Sequence, residues 1–457
     1  MSNVVFGNYS PPAPPPNVIN VALGVFFDGT LNNKTNSDAR KGNTESYQDH
    51  GGDPSDNNSY NNDWSNVARL WDNYDKKNAI YVEGIGTTDN EGDEMDGYAY
   101  GSEDTGIKAK VVIGCEDIAE KISLLKKANP AAKIGTVILD VFGFSRGAAA
   151  ARYFVHQVSK KKNTSDPKSI NFGNLGTEMQ KLGINPDEIK VDIRFLGIFD
   201  TVSSYSENTW TTSPNFSNDI VELHLDDIAK AKKIVHFTAE NEHRINFDLT
   251  DIITYDKVKQ KNVFLGIERS FPGVHSDIGG GYETGPEAKD EIINGSESVQ
   301  KERKAQLVAQ GWFTDKQLII HEYRRKLSSN RELVKKTYSY IPLQFMAEYG
   351  KNESLKIDVT QIGTKYKISN DPLLVRVKNK LNGYVMGNGK PYKFRWFADI
   401  NKQYEGSKVP EQRYADYQKE MKEQEDLRKL RNEYLHWSAD YDWVGMDPRS
   451  DGKRVVH

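Results

Sequence analysis

The sequence predicts an α/β fold around a mainly parallel sheet. Two near-continuous apolar runs, residues 18–27 (VINVALGVFF) and 133–144 (KIGTVILDVFGF), read as strands buried on both faces, as parallel sheets require. Between such runs lie segments with helical spacing, and alternating strands and helices build parallel α/β units. A length of 457 residues allows one large α/β domain with additions.

The elements follow in order. Residues 1–17 hold five of the 17 prolines and no periodic pattern, so they read as a flexible tail. After the first strand, Asp28-Gly29-Thr30 forms a turn. Residues 32–63, crowded with Asn, Asp, Ser and Gly, read as a long loop. Ser65 caps a predicted helix through Tyr74, with Val67, Leu70 and Trp71 on one face. Residues 79–82 are a strand and 107–125 a helix with Val111, Ile118 and Ile122 inward. Residues 148–158 form a small-residue helix after the second apolar run. Residues 191–199 and 263–267 are further strands. Beyond about residue 286 the pattern turns to long charged helices, at 314–335 and, exposed, at 411–434. The expected organisation is a tail (1–17), a catalytic α/β domain with long loop insertions (18–285) and a helical C-terminal extension packing on it (286–457).

Composition excludes several classes. Lys plus Arg is 61 and Asp plus Glu is 65, a net charge of −4. A nucleic-acid binder would show a basic excess, so no nucleic-acid partner is expected. No stretch reaches the ~20 apolar residues of a membrane span, and the first residues lack the basic and apolar regions of a secretory signal. The single cysteine, Cys115, permits no internal disulfide, which suits synthesis in the cytoplasm. The Asp/Asn-rich stretch 49–63 lacks the ligand spacing of a calcium loop, and neither a metal nor a cofactor is expected.

The chemistry centres on Gly143-Phe144-Ser145-Arg146-Gly147. The pattern G-x-S-x-G alone is weak, but here it joins a buried strand to a helix, the context a nucleophilic serine requires. Gly143 and Gly147 relieve crowding at the turn so that Ser145 stands above the sheet edge. The competing reading is an ordinary strand–helix turn with an incidental serine. A serine hydroxyl needs a base and an orienting carboxylate, and in α/β-hydrolases these follow in the order Ser, Asp or Glu, His. Asp200 ends the strand at 191–199, and His275 lies in a Gly-rich loop that can aim it into a cleft. Asp248 and Asp277 rival Asp200. His156, His224, His236 and His243 rival His275 less well, and structural histidines are the better expectation for the last two. For the oxyanion hole, one backbone N–H comes from Arg146. A second is expected from the turn at Gly29 and Thr30, although Gly29 could serve the turn alone. The run FFDGTL also suggests a haloacid-dehalogenase-like phosphatase using Asp28, yet that chemistry needs an aspartate where Phe26 stands. The aromatic cluster of Tyr434, His436, Trp437, Tyr441 and Trp443 is expected to dock the C-terminus.

Together FFDGT, GFSRGAAAARYF, GIFDTV, HFTAENEHR and FPGVHSDIGGGY resemble the catalytic domain of the first family of type VI secretion lipase effectors, with a weaker likeness through YLHWSADYD and DGKRVVH. The resemblance implies an α/β-hydrolase and a phospholipase A that cleaves acyl esters of glycerophospholipids. It carries the family's Ser, Asp and His onto Ser145, Asp200 and His275. It also implies a phospholipid substrate at a membrane surface, a secretion spike or chaperone as carrier, and an immunity protein. Such a protein is made in the cytoplasm without a signal peptide and delivered to the periplasm of a target cell. A non-lipid esterase of the same fold and an inactive secretion-linked adaptor are the alternatives. A lipase must also offer apolar surface beside its cleft, and the stretch 203–216 after Asp200 supplies Tyr205 and Trp210. Replacing Trp210 by Ser is expected to lower hydrolysis of vesicles far more than of a short soluble ester. Equal loss on both substrates would assign Trp210 to the fold.

Overall fold

The computed structural model describes residues 17–53, 58–94, 104–166, 168–205, 216–256, 260–405, 411–441 and 446–457. The Pro-rich tail before Asn17, Trp210 and Trp443 lie outside the described residues.

A six-stranded sheet is the frame. It comprises β1 (Asn17–Phe27), β2 (Ala79–Val82), β3 (Ala132–Phe144), β4 (Lys190–Phe199), β5 (Lys233–Ala239) and β8 (Ile267–Phe271) in the order β2-β1-β3-β4-β5-β8. Every neighbouring pair is parallel. Alternation along the strands splits the core into two layers. Val25, Phe27, Val141, Leu196 and Ile198 face one side, where the helices Ile107–Ala128, Arg146–Ser159 and Gly173–Lys181 cover them. Phe26, Phe142, Phe144, Phe195 and Phe199 face the other, beneath the helices Asn66–Asp72 and Tyr340–Asn352. Each such fully buried side chain contributes about 1.5–3 kcal/mol by leaving water. As expected, Ser65 caps its helix, its hydroxyl accepting the Ala68 N–H.

Several expectations need correction. The loop at 32–63 contains two short helices, Lys34–Lys41 and Glu45–His50. Asn33 starts the first by accepting the N–H groups of Thr35 and Asn36. The strand expected at 263–267 is two elements. Lys261–Phe264 (β7) pairs in a hairpin with Ile253–Asp256 (β6), and β8 follows in the main sheet. Strand β5 is hidden in the sequence because Lys233 opens it and His236 interrupts its apolar run.

The predicted helix at 314–335 is a short 3-10 turn, Asp315–Gln317, followed by strands β10 (Leu318–His321) and β11 (Lys326–Val334). With β9 (Gly285–Asn294) they form a three-stranded antiparallel sheet, so the region after residue 286 is not purely helical. Leu327, Ser329 and Arg331, two residues apart on one face, are all buried, and Ser328 between the first two is buried as well. Arg331 disguised that face because a charge there reads as solvent-facing. Its guanidinium instead bonds the Glu287 carboxylate and the carbonyls of Arg431, Asn432 and Leu435. The last long helix, Glu411–Glu433, is exposed along its first half and keeps one exposed face, with Lys422, Glu425 and Lys429, in its second. Farther along it buries Gln424, Asp426, Leu427, Leu430 and Arg431.

Arg331→Met strands the Glu287 carboxylate and three carbonyls. It is expected to cost about 3–5 kcal/mol, read as a lower urea midpoint. A loss under about 1 kcal/mol would place Arg331 outside the load of the fold.

Candidate active site

The site begins at the end of β3. Ser145 takes φ 58° and ψ −129°, a conformation that costs a non-glycine residue about 1–3 kcal/mol. The two glycines permit it by close approach. A Cβ on Gly143 would stand 2.4 Å from the Gly147 carbonyl oxygen, and one on Gly147 would stand 2.1 Å from that of Asp28. The turn after β1 is thus pressed against the elbow. Ser145 N–H donates to the Phe199 carbonyl, which ties it to the end of β4.

Asp200 follows that strand at φ 42° and is wholly buried. Its Oδ2 lies 2.6 Å from His275 Nδ1. Its Oδ1 accepts the Ala239 N–H at 2.8 Å and Arg454 Nη1 at 2.6 Å. Burial alone would raise this carboxyl, but Arg454 and His275 outweigh it and hold Asp200 down at about 2. Because Asp200 is ionised, Nδ1 of His275 donates and Nε2 keeps the lone pair a base needs. Burial holds His275 below the ordinary histidine value, against the pull of Asp200. The imidazole packs on Phe144 (centroids 4.6 Å apart), the residue just before Ser145, and on Phe247 (5.1 Å). Sheet order therefore brings Asp200 and His275 into contact and sets Ser145 beside the ring that packs on His275.

The rivals are engaged elsewhere. Asp277 accepts the Val274 N–H and pairs with His436, while Asp248 pairs with Arg449 and His457. His236 Nε2 accepts the Thr201 N–H and its Nδ1 bonds Glu268, so it braces the segment carrying Asp200. His243 bonds the Asn241 carbonyl, and His156 pairs with Asp227 and stacks on His224. Gly29 N–H donates to its neighbour, the Asp28 carboxylate, which removes it from the oxyanion candidates. The N–H groups of Thr30 and Arg146 donate to no described residue. Tyr205, expected at the mouth, is 4% exposed and its ring lies in the core layer under Lys108.

Two residues escaped the sequence reading. Glu242 accepts the His275 N–H at 3.2 Å, the Ser438 hydroxyl and two nitrogens of the Arg244 guanidinium. Burial opposes its ionisation, but Arg244 holds the carboxyl well below its usual range. Arg454 reaches Asp200 from the last residues of the chain, which pair along Leu249. Ahead of them, His436 stacks on Tyr282 and bonds Asp277, and Trp437 packs on His243, Trp312 and Phe313. The only local signal was that DGKRVVH and HFTAENEHR belonged to the resemblance. Among the described residues no cluster of three His, Cys, Asp or Glu side chains could hold a metal ion.

Residues 154–347 match a family model described as the catalytic domain of Tle1-like phospholipase effectors of the type VI secretion system. The match contains Asp200 and His275 and begins after Ser145. No curated protein sequence matches. Among solved structures, a Tle1 effector bound to the VgrG spike of the type VI secretion system is 20% identical, with a TM-score of 0.59. The likeness covers 97% of this chain and 94% of that one and shows a shared fold. An uncharacterized protein from Pseudomonas aeruginosa is 16% identical over 92% of this chain and 64% of its own, at a TM-score of 0.41. Over residues 154–347 the chain is therefore similar to the catalytic domain of the type VI secretion phospholipase effectors of the Tle1 family, as its motifs led us to expect.

Proposed function

We propose that the chain is a phospholipase A-type serine esterase and an antibacterial effector of type VI secretion. The observation that carries the chemistry is the Asp200–His275 hydrogen bond beside a serine held at positive φ. Ser145 Oγ attacks the acyl carbonyl as its proton passes to His275 Nε2, forming the Oγ–C bond. The N–H groups of Arg146 and Thr30 receive the developing oxyanion. Collapse breaks the C–O bond to the glycerol, whose oxygen takes the proton from His275. Water then attacks the acyl-enzyme by the same route and releases a fatty acid. Asp200 stays ionised throughout and fixes the imidazole.

Similarity to an effector solved on its spike supports carriage of this chain on a VgrG-type spike. Action in a target-cell periplasm and neutralisation by an immunity protein complete the proposal. Among the described residues no helix is long and apolar enough to cross a membrane. The phosphatase alternative is weakened by Asp28 itself. Its carboxylate is buried and occupied by the Tyr81 hydroxyl and the Gly29 N–H.

Ser145→Ala is expected to lose about a thousandfold or more in phospholipid turnover and all fluorophosphonate labelling. Near wild-type hydrolysis would overturn the esterase reading. Phosphate release blocked by Asp28→Asn would support the phosphatase instead.

The proposed roles imply a pH dependence. The active base is neutral His275, so activity rises with pH through its pKa, which burial holds below the ordinary histidine value. After burial, and against Asp200, the charges of Arg244 and then Arg454 lower it further. Arg454→Met is therefore expected to move the acid limb of kcat/KM to higher pH while lowering kcat. A rate loss with an unmoved limb would mean that Arg454 only supports the fold.

A further inference from the structure

Beside the nucleophile lies a buried cation that has no counterion among the described residues. Arg146 opens the helix Arg146–Ser159 and is 8% exposed. Its Nε donates to Thr30 Oγ1 at 2.7 Å. Among the described residues Nη1 is buried with no hydrogen-bond partner, and no carboxylate pairs with the guanidinium. Of the other buried arginines, Arg69 pairs with Asp63, Arg244 with Glu242 and Arg331 with Glu287, while Arg152 spends its fork on three backbone carbonyls. Arg431 also has no carboxylate partner among the described residues, but it lies far from Ser145 in the sequence, donates Nη1 to the Gln310 carbonyl and rests its guanidinium on the Trp312 and Phe394 rings. Burying a charge without a partner is costly unless something else neutralises it. Burial brings the Arg146 pKa down only to about 10, so the guanidinium stays charged at neutral pH.

We propose that Arg146 binds the phosphodiester of the glycerophospholipid whose acyl ester Ser145 attacks. This rests on the esterase reading above and names what selects the substrate. Three features converge. The guanidinium belongs to the residue next to the nucleophile, and in a glycerophospholipid the phosphate lies a few glycerol bonds from the scissile carbonyl. Thr30 holds Nε and so leaves the two Nη nitrogens for phosphate oxygens, the forked geometry that arginine offers best. The positive end of a 14-residue helix starts at the same residue and favours an anion there. A neutral diacylglycerol gains nothing from either charge.

The test compares dihexanoyl phosphatidylglycerol with dihexanoyl glycerol as soluble substrates. Arg146→Met is expected to lower the ratio of their kcat/KM values about 10- to 100-fold, and Arg146→Lys to lower it less. An equal loss on both substrates, or an unchanged ratio, would overturn the proposal. Calorimetry in the Ser145→Ala protein gives a readout free of turnover. There the added Arg146→Met change is expected to weaken phosphatidylglycerol binding at least tenfold and leave dihexanoyl glycerol binding unmoved. Arg146-dependent binding of inorganic phosphate alone, without the phospholipid, also overturns the proposal. If the unsubstituted protein hydrolyses neither ester and takes no fluorophosphonate, the esterase reading fails, and the calorimetric arm decides Arg146 by itself. Melting temperatures confirm that each variant is folded.

Discussion

The Asp200 carboxylate is the charge around which the molecule is arranged. It is wholly buried, and an isolated carboxylate in such a place would take up a proton rather than stay ionised. Its ionisation depends on donors from three distant parts of the chain: the Ala239 N–H at the end of β5, His275 after β8, and Arg454 near the last residue. The parallel sheet supplies the first two because β4, β5 and β8 are neighbours that end on the same side. It cannot supply the third. The C-terminal segment must return, past the contacts of His436 with Asp277 and of Ser438 with Glu242, to lie along Leu249. The region after residue 286 thus shares the core layer under the sheet and also completes the site.

How much of this the residues disclose depends on the range of the interaction. The elbow is local: two glycines, a strand before and a helix after are all contiguous, so Ser145 can be read directly. Asp200 and His275 are legible by chain order, because a parallel sheet carries functional residues at the ends of its strands. Strand β5 is hidden because His236 reads as polar, although in the fold Glu268 and the Thr201 N–H satisfy it. The same mistake in larger form turns β11 into an expected helix, since Arg331 sits on the buried face with Glu287 as its partner. Periodicity counts apolar side chains and is blind to a charge whose partner lies far along the chain. Glu242 and Arg454 are invisible for that reason.

The buried ion pairs invite a reading in terms of stability, which the physics does not favour. Removing two charges from water can cost as much as their attraction returns, so a buried pair often adds little net stability even though breaking it is expensive. What the Asp200 network provides is definition. Arg454 and the Ala239 N–H fix one carboxylate oxygen, which leaves the other to hold the His275 ring in a single orientation. Glu242 does the same for the backbone of that histidine, with Arg244 neutralising it.

This arrangement explains why two arginines near Ser145 are treated so differently. Arg454 is spent on a carboxylate of the chain itself, and with His275 it holds Asp200 ionised against its burial. Arg146, buried more fully, donates among the described residues only to a threonine hydroxyl. A fold that neutralises Arg69, Arg244 and Arg331 with carboxylates has the means to neutralise Arg146 too. In the proposed mechanism a carboxylate there would repel the oxyanion assigned to the same residue's N–H. The unfilled fork is therefore consistent with its position, since the charge beside an oxyanion has to stay uncancelled by the protein for a ligand to use it.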